Sequence, residues 1–548
     1  MNICENPITF QSLLFDFIKD NKLLFICYIL FVLLIPLQEI GVPHIIGKLT
    51  KAVQDKTPIV NPLILLVVLI CIIQSGILLS GFVEVRMFPK FQKFIRDTII
   101  NHIMKEMKTN YEELHTGEVT MHLHKFPIIL YSYFEDLRNI LMPQFIVYII
   151  AIAYFSYYDI YIGLGLFVTI LVVIFSVKYT ITRCLVISKS RDYKYNEMME
   201  EITDLFRNST SVLNANSENR EAERSSSNQT EYYDQMRISL KCAYQTMYVL
   251  IPFVLILFAL LLYRIYVNVK SGNIATFNMV SLVMILLYIM RSILVIVDNL
   301  KDQVFRWGAI QVSLDLINEC APKEKQTTHI PEDLENGFVF KDVTYGYKDR
   351  KPIFDKLNLV LKPNKTTLIV GEIGSGKTTL IKLLMKYKLP LDGAIFYNKR
   401  PYSDISVEEL RTIIGYVPQT PVLFNRTIYE NITYNNPSIT ESQVIELMKQ
   451  LDIEDMIYKF PEGLQTNVGS GGSKLSGGQR QIIWIMRIIL QNPEVVILDE
   501  PTSALDDDTK PIIQRMLEKI IKDKTIIMIT HDKYLYKFAD SIIELKPN

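Results

Sequence analysis

The chain has 548 residues, which is too long for one hydrophobic core and implies at least two domains. Its 58 Lys and Arg residues balance 58 Asp and Glu residues, so no net charge draws it to nucleic acid or anionic lipid. Hydrophobic residues make up 49% of the chain, and the long charge-free runs all precede about residue 300. The first half is therefore expected to be embedded in a membrane.

The cysteines show neither a C-x-x-C motif nor a Cys/His metal spacing. Isolated thiols in or beside apolar helices are usually packing residues, so no disulfide framework is expected. Acidic residues precede the first long apolar run, which argues against a cleaved secretory signal and for a retained membrane span. The six cysteines are Cys4, Cys27, Cys71, Cys184, Cys242 and Cys320.

Six runs are long enough to cross a bilayer, whose core of about 30 Å needs roughly 20 apolar residues in a helix. Buried helices of a soluble protein are the alternative, but such helices seldom run this long without charge on any face. Glu39 interrupts the first run and Arg291 interrupts the last. The predicted spans are residues 23–46, 59–83, 139–158, 160–177, 242–263 and 271–297.

Short links join spans 1 and 2, 3 and 4, and 5 and 6, and one of them is Asp159 alone. The two long connections, residues 84–138 and 178–241, alternate with these links and therefore lie on the same side of the membrane. The long connections are rich in Lys and Arg, whereas the opposite links carry only five such residues. The positive-inside rule therefore places the long connections, the N-terminus and everything after the sixth span in the cytosol. Apolar residues at helical spacing predict that the first connection is helical. Half of it, at about 1.5 Å per residue, would extend roughly 40 Å below the bilayer.

A change of composition at residues 321–335, which include two prolines and a Lys/Glu cluster, predicts a linker. It separates a membrane domain, residues 1–320, from a second domain, residues 336–548. The predicted fold is an α-helical six-span transmembrane domain followed by an α/β P-loop ATPase domain.

The second domain contains a complete G-x-x-x-x-G-K-T motif, preceded by an apolar run typical of a strand and followed by a run typical of a helix. Its glycines let backbone N–H groups wrap a polyphosphate, and the helix N-terminus adds a favourable dipole. Lys377 is expected to reach the β- and γ-phosphates, and Thr378 to ligate Mg²⁺. The predicted nucleotide-binding residues here are Gly371, Glu372, Ile373, Gly374, Ser375, Gly376, Lys377, Thr378 and Thr379.

A second motif, residues 495–500, is an apolar strand that ends in two acids. Asp499 is placed to support Mg²⁺, and Glu500 is placed to orient and polarise the attacking water. A buried strand with an acidic turn is the alternative, but the P-loop in the same domain argues against it.

Between these motifs lies Leu475-Ser476-Gly477-Gly478-Gln479. Together with the P-loop and the acidic strand, this pentapeptide resembles the signature of ATP-binding cassette (ABC) proteins. In that family the signature caps the γ-phosphate of a nucleotide held by the P-loop of the other subunit. Ser476 and two glycines that open a helix offer N–H donors to such an anion.

The resemblance extends to further landmarks in the expected order. Tyr347 matches the aromatic residue that stacks on adenine, and Gln419 matches the glutamine that touches Mg²⁺ and water. Residues 503–506 match the D-loop, and His531 matches the switch histidine, although a lone histidine after a strand is more often structural. The resemblance implies catalytic roles for Glu500, His531 and Gln419, and metal contacts for Thr378, Gln419 and Asp499.

The membrane half resembles the exporter branch of the family at residues 117–118 and 212–218, as does the stretch 423–432 after Gln419. Three departures stand out. Residues 468–472 lack the Glu and Arg that relatives carry before the signature and that contact the cytosolic helices there. The chain also ends before the customary final strand and helix, and Ile482, Trp484 and Met486 replace the usual Arg and small residues.

The resemblance implies a half-transporter that exports an unidentified substrate across a lipid bilayer by alternating access, using ATP and Mg²⁺. It requires a second half-transporter, and the complete motifs favour a homodimer. Nucleic acid is not expected as a partner. Two alternatives stay open: an ATP-gated channel or regulator, and a soluble DNA-maintenance ATPase, which the six spans argue against. His115, His122 and His124 lack an acid or Cys at ligand spacing, so no metal site is predicted there.

Overall fold

The computed structural model describes residues 2–3, 7–106, 116–320, 335–347, 351–503, 505, 509–521 and 524–546. The chain divides into two compact units, residues 1–106 with 112–320 and residues 107–111 with 321–548. The predicted linker lies outside the described residues except for its last position, Glu335.

Among the described residues of the first unit, six helical stretches are long and apolar enough to cross a membrane, which confirms the predicted number of spans. Most are longer than predicted because they continue unbroken into the long connections. A short antiparallel pair, β1 (Asn2–Ile3) and β2 (Glu319–Cys320), joins the two ends of this unit. Its described α-helices of six residues or more are α1 (Phe10–Asp20), α2 (Lys22–Val32), α3 (Val42–Gln54), α4 (Val60–Glu106), α5 (Thr116–Asp136), α6 (Met142–Tyr158), α7 (Ile160–Arg207), α8 (Ser209–Asn214), α9 (Glu218–Lys270), α10 (Thr276–Asp298) and α11 (Leu300–Ile317).

The links between spans follow local capping chemistry. Asp159 alone joins α6 to α7, as predicted, and its carboxylate accepts a hydrogen bond of 2.8 Å from the N–H of Tyr161. The predicted start of the sixth span at Ser271 is wrong. Residues 271–275 form a turn in which Gly272 has φ +77°, a conformation that a helix interior does not accept, and α10 begins at Thr276.

The long connections are helical where they are described. In the first, α4 ends at Glu106 and α5 begins at Thr116, and His115 lies outside the described residues between them. In the second, α8 lies between α7 and α9, and the exporter-like residues 212–218 run from the end of α8 through a turn to the first residue of α9.

The first unit has apolar side chains both on its surface and in its interior. Large apolar side chains of α4, including Leu78 and Phe82, are exposed, as expected of a surface that faces lipid. Its interior contains apolar side chains from α6, α7, α9 and α10, such as Phe155, Leu166 and Ile285.

The expectation of no disulfide is wrong for one pair. Cys184 of α7 and Cys242 of α9 form a disulfide beside Val304 of α11, although they are 58 positions apart. They meet because α7 and α9 pack along one another, which spacing in the sequence does not reveal.

The second unit contains a five-stranded parallel sheet in the order β11-β5-β10-β9-β8 and a four-stranded antiparallel sheet in the order β4-β3-β6-β7. The strands are β3 (Phe338–Tyr345), β4 (Phe354–Leu361), β5 (Thr366–Gly371), β6 (Asp392–Tyr397), β7 (Arg400–Pro401), β8 (Ile414–Val417), β9 (Val495–Asp499), β10 (Thr525–Ile529) and β11 (Ser541–Leu545). The helices are α12 (Lys377–Leu384), α13 (Val407–Ile413), α14 (Ile428–Ile432), α15 (Glu441–Leu451), α16 (Glu454–Tyr458), α17 (Gly477–Gln491) and α18 (Thr509–Ile521).

The central strands β9 and β10 are buried at every position, which is typical of a parallel sheet covered on both faces. Helix α17 packs into the same core, where Ile482 and Met486 are fully buried. Two of the departures from the family pattern therefore have a packing role.

Candidate ATP-binding site

The P-loop, the two acids, Gln419 and His531 lie at one edge of the parallel sheet, whereas Tyr347 and the signature lie on other elements. The P-loop follows β5, Gln419 follows β8, Glu500 follows β9 and His531 follows β10, and these four strands are neighbours in the order β5-β10-β9-β8. Ligands of open parallel sheets bind outside the carboxyl ends of the strands. The topology thus brings four motifs that are far apart in sequence to one place.

The P-loop has the geometry that a polyphosphate requires. Gly374 and Gly376 have φ +87° and +93°, and a Cβ at Gly374 would meet nothing within 4 Å. Lys377 Nζ donates hydrogen bonds to the carbonyls of Gly371 at 2.7 Å and Glu372 at 3.0 Å, so its ammonium lies over the loop. The hydroxyl of Ser375 is buried and has no hydrogen-bond partner among the described residues. An orphaned hydroxyl, free loop space and a lysine fit a bound triphosphate.

Asp499 ends β9 at the same edge and is buried. Burial raises the pKa of Asp499, and the hydrogen bond from Tyr416 and the charge of Lys377 oppose that rise. The Tyr416 hydroxyl donates to Asp499 Oδ2 at 3.2 Å. Thr378, in the first turn of α12, is exposed. A carboxylate and a hydroxyl are the hard oxygen ligands that Mg²⁺ prefers, so these residues fit that ion.

Glu500 is contacted by the two other predicted catalytic residues. Gln419 Nε2 donates a hydrogen bond of 3.0 Å to Glu500 Oε2, and His531 Nε2 lies 3.7 Å from Glu500 Oε1. Glu500 itself has φ +46°, which a non-glycine residue rarely adopts and which is typical of functional sites. The N–H of Glu500 donates to the carbonyl of Ile529 at 2.7 Å, which holds this backbone in place.

The signature residues cap α17. The Ser476 hydroxyl accepts from the N–H of Gln479 at 3.2 Å, and Gln479 Oε1 accepts from the N–H of Ser476 at 2.9 Å, which is a capping box. A Cβ at Gly477 would meet nothing within 4 Å, whereas one at Gly478 would lie 2.5 Å from Thr509 Cγ2. Gly477 thus borders open space, and Gly478 is required by packing against α18.

Tyr347 lies in the antiparallel sheet region, half-buried, with its ring 5.6 Å from that of Tyr345 in an edge-to-face arrangement. Of the D-loop, Ser503 donates to the carbonyl of Glu500 at 2.9 Å, and Leu505 packs against the core. Ala504 and Asp506 lie outside the described residues.

Sequence reasoning missed Asp532, which directly follows His531. Its carboxylate accepts hydrogen bonds from Thr502 at 3.0 Å and Gln514 at 3.2 Å, and Lys510 lies 3.4 Å away. Partial burial raises the pKa of Asp532, but these partners and the N–H of Tyr534 outweigh it and lower the pKa overall. Asp532 therefore ties the loop that carries His531 to the residues after Glu500. The signal in the sequence that could have identified Asp532 is that an acidic residue directly follows the predicted switch histidine.

A parallel sheet with a P-loop, in a chain whose described part has six helical stretches able to span a membrane, defines an integral membrane protein with a nucleotide-binding domain. A family model described as ABC transporter matches residues 354–503. ABC transporter B family member 3 of Dictyostelium discoideum is 40% identical over 218 residues, which are 39% of this chain and 15% of that protein. The heavy metal tolerance protein of Schizosaccharomyces pombe is 38% identical over 205 residues, which are 37% of this chain and 25% of that protein.

A solved structure of a bacterial Atm1-family ABC exporter with ATP bound is similar over 96% of this chain and 94% of its own, with a TM-score of 0.82 and 22% sequence identity. The matched segments cover a quarter or less of the two curated relatives. Residues 354–503 are an ABC transporter ATP-binding domain, and the chain has the fold of an Atm1-type ABC exporter half. The predicted resemblance to ABC half-transporters is confirmed.

Proposed function

We propose that this chain pairs with a second copy to form an ATP-driven exporter that works by alternating access. The observation that carries the proposal is the single sheet edge where Lys377, Asp499, Glu500, Gln419 and His531 meet, in a chain that also has six membrane-spanning helices. A nucleotide-binding domain tied covalently to membrane helices is suited to convert nucleotide turnover into movement of those helices.

Each side chain has a role that its position supports. The P-loop N–H groups and Lys377 bind the β- and γ-phosphates of ATP. Glu500 accepts a proton from the attacking water, while Gln419 and His531, which contact its two carboxylate oxygens, hold it in position. Thr378, Gln419 and Asp499 would hold Mg²⁺, which would supply positive charge against the phosphates.

Two chains are required because the signature is expected to serve a nucleotide held by the other chain. Ser476 and Gly477 are exposed at the start of α17, where helix N–H groups favour an anion. Each chain has one P-loop and one signature, so a homodimer forms two complete sites. Tyr347 would stack on the adenine of its own chain's ATP.

The orientation follows from charge. The long connections are rich in Lys and Arg, which supports a cytosolic location for them, the N-terminus and the ATP-binding domain. The substrate would then leave the cytosol or the inner leaflet.

The test is transport by the purified protein in sealed lipid vesicles. With ATP-binding domains facing outward, export corresponds to uptake into the vesicle, and a panel of labelled lipids, peptides and drugs is screened for ATP-dependent accumulation. We expect at least one compound to accumulate against its gradient in the parent and not in Glu500→Gln. Movement that only follows the gradient and needs ATP binding but not hydrolysis would instead show a gated channel.

A further inference from the structure

Tyr416 connects three parts of the ATP-binding domain: strand β8, Asp499 at the end of β9, and the signature helix α17. It lies in β8, half-buried, and β8 runs parallel to β9 with Tyr416 opposite Ile497. Alternate residues of a strand share a face, so Asp499 lies on the same side of the sheet as Ile497. The Tyr416 ring spans this diagonal, and its hydroxyl donates to Asp499 Oδ2 at 3.2 Å.

Trp484 fixes the backbone of Tyr416. Its indole Nε1–H donates a hydrogen bond of 2.8 Å to the Tyr416 carbonyl. The Arg487 guanidinium lies 4.5 Å from the Trp484 ring and donates to the carbonyl of Asn431 at 2.8 Å, which limits movement of the indole. Trp484 therefore contacts both Arg487 of its own helix, α17, and the backbone of β8.

We propose that Tyr416 is a positioning residue for Asp499 and that Trp484 keeps Tyr416 in place from the signature helix. The inference rests on the proposed binding of ATP and Mg²⁺ and adds two residues to the motif residues described above. A hydrogen bond to Oδ2 restrains the carboxylate rotamer, so that Oδ1 would be available to hold Mg²⁺. Partners of this kind, one shell out from a metal, typically change metal affinity by about 10-fold or more when removed.

The same contacts link the start of α17 to its middle. Ser476, which begins this helix, is the residue proposed to face the partner's nucleotide, and Trp484 lies two turns further on. A shift of α17 on nucleotide binding in the dimer would reach Asp499 through two hydrogen bonds. The signature helix thereby acts on the metal acid of its own chain.

The experiment measures metal binding rather than turnover alone. Full-length protein in lipid discs is loaded with ATP and titrated with Mn²⁺, whose electron paramagnetic resonance signal reports bound metal directly. Tyr416→Phe should raise the half-saturating Mn²⁺ concentration about 10-fold and leave ATP binding in EDTA within about twofold of the parent. Excess Mg²⁺ should restore most of the lost turnover, because the defect lies in metal affinity.

Tyr429→Phe is the matched control. Tyr429 is also half-buried and lies in the same domain. Its hydroxyl donates to the carbonyl of Ile439 at 2.7 Å, not to Asp499. Its Mn²⁺ titration should match that of the parent. An equal shift in Tyr429→Phe, or a Tyr416→Phe titration within about twofold of the parent, overturns the proposal.

Trp484→Phe removes the indole donor and should shift the Mn²⁺ titration in the same direction by a smaller factor. The double variant should have the same half-saturating Mn²⁺ concentration as Tyr416→Phe, because both substitutions act through the Asp499 carboxylate. Fully additive shifts would contradict the link. Thermal unfolding verifies folding, and Trp484→Phe carries the test if Tyr416→Phe does not fold. A parent that binds Mn²⁺ and ATP but does not hydrolyse ATP refutes the proposed function and leaves the positioning role testable.

Discussion

Gln419 Nε2 lies 3.0 Å from Glu500 Oε2 and donates a hydrogen bond to it. The other carboxylate oxygen, Oε1, faces His531 Nε2 at 3.7 Å. Glu500 is thus contacted from the end of β8 and from the end of β10, while its own strand, β9, lies between them. Such an arrangement fixes the direction in which the carboxylate points, which a general base requires.

Glu500→Gln should preserve ATP binding and lower hydrolysis by about 10²- to 10⁴-fold, because the amide cannot accept the proton of the attacking water. The variant should accumulate dimers with trapped ATP. Turnover is measured by phosphate release, and trapping by retention of labelled ATP on a desalting column. Glu446→Gln, an exposed position on α15, is the control and should behave as the parent does. Near-normal turnover in Glu500→Gln would assign the base to another residue.

Mixed dimers test whether each site is shared between chains. A Lys377→Ala chain and a Ser476→Arg chain should each be inactive as homodimers. When the two are co-expressed with different tags and the mixed species is purified, one site combines an intact P-loop with an intact signature. ATPase activity should return in the mixed species alone. A mixed dimer of proven composition that stays inactive would contradict shared sites.

Contiguous motifs made much of the site predictable. The P-loop, the two acids at 499 and 500 and the signature each occupy a few consecutive residues, so local spacing reports their chemistry directly. The six spans were predictable for a similar reason, because the bilayer sets a minimum apolar length that the sequence shows. The ends of the helices were less predictable. Helix α7, for example, continues unbroken to Arg207, so the helix does not end where its apolar run ends.

Contacts between distant segments could not be predicted. The Tyr416 to Asp499 hydrogen bond depends on the register of β8 against β9, and the disulfide of Cys184 and Cys242 depends on how α7 packs on α9. Trp484 was noticed only as a departure from a family pattern. Its hydrogen bond to the Tyr416 carbonyl gives that departure a structural reason.

The two signature glycines should respond differently to a methyl group. Gly477→Ala meets open space, so the protein should fold normally and lose ATPase activity if this N–H approaches a phosphate. Gly478→Ala places a Cβ 2.5 Å from Thr509 Cγ2 and should lower the melting temperature, as overpacking costs typically 1–3 kcal/mol. Thr509→Gly in the same chain should restore part of that stability. Equal melting temperatures for the two single variants would contradict this assignment.

The last prediction concerns Arg291, a charge inside α10. It lies about 22 Å from the start of that helix at Thr276, well into a hydrocarbon layer of about 30 Å. Its side chain is exposed and is close enough to Glu39 to act on that carboxylate electrostatically. Glu39 is buried and accepts a hydrogen bond of 2.9 Å from Gln144 Nε2. Arg291 therefore lies beside a polar cluster within the membrane unit, where charged residues are commonly functional.

Two interpretations of Arg291 lead to different results. If its guanidinium meets an anionic or zwitterionic substrate, Arg291→Ala should remove the stimulation of ATPase by the strongest stimulator of a lipid and peptide panel, and Arg291→Lys should keep part of it. If the side chain only snorkels to lipid headgroups, Arg291→Ala should show the same ratio of stimulated to unstimulated ATPase as the parent. Lys270→Ala, at the opposite end of the spans, is the control for loss of a membrane-flanking charge. An unchanged ratio in Arg291→Ala would therefore leave snorkelling as the explanation for this residue.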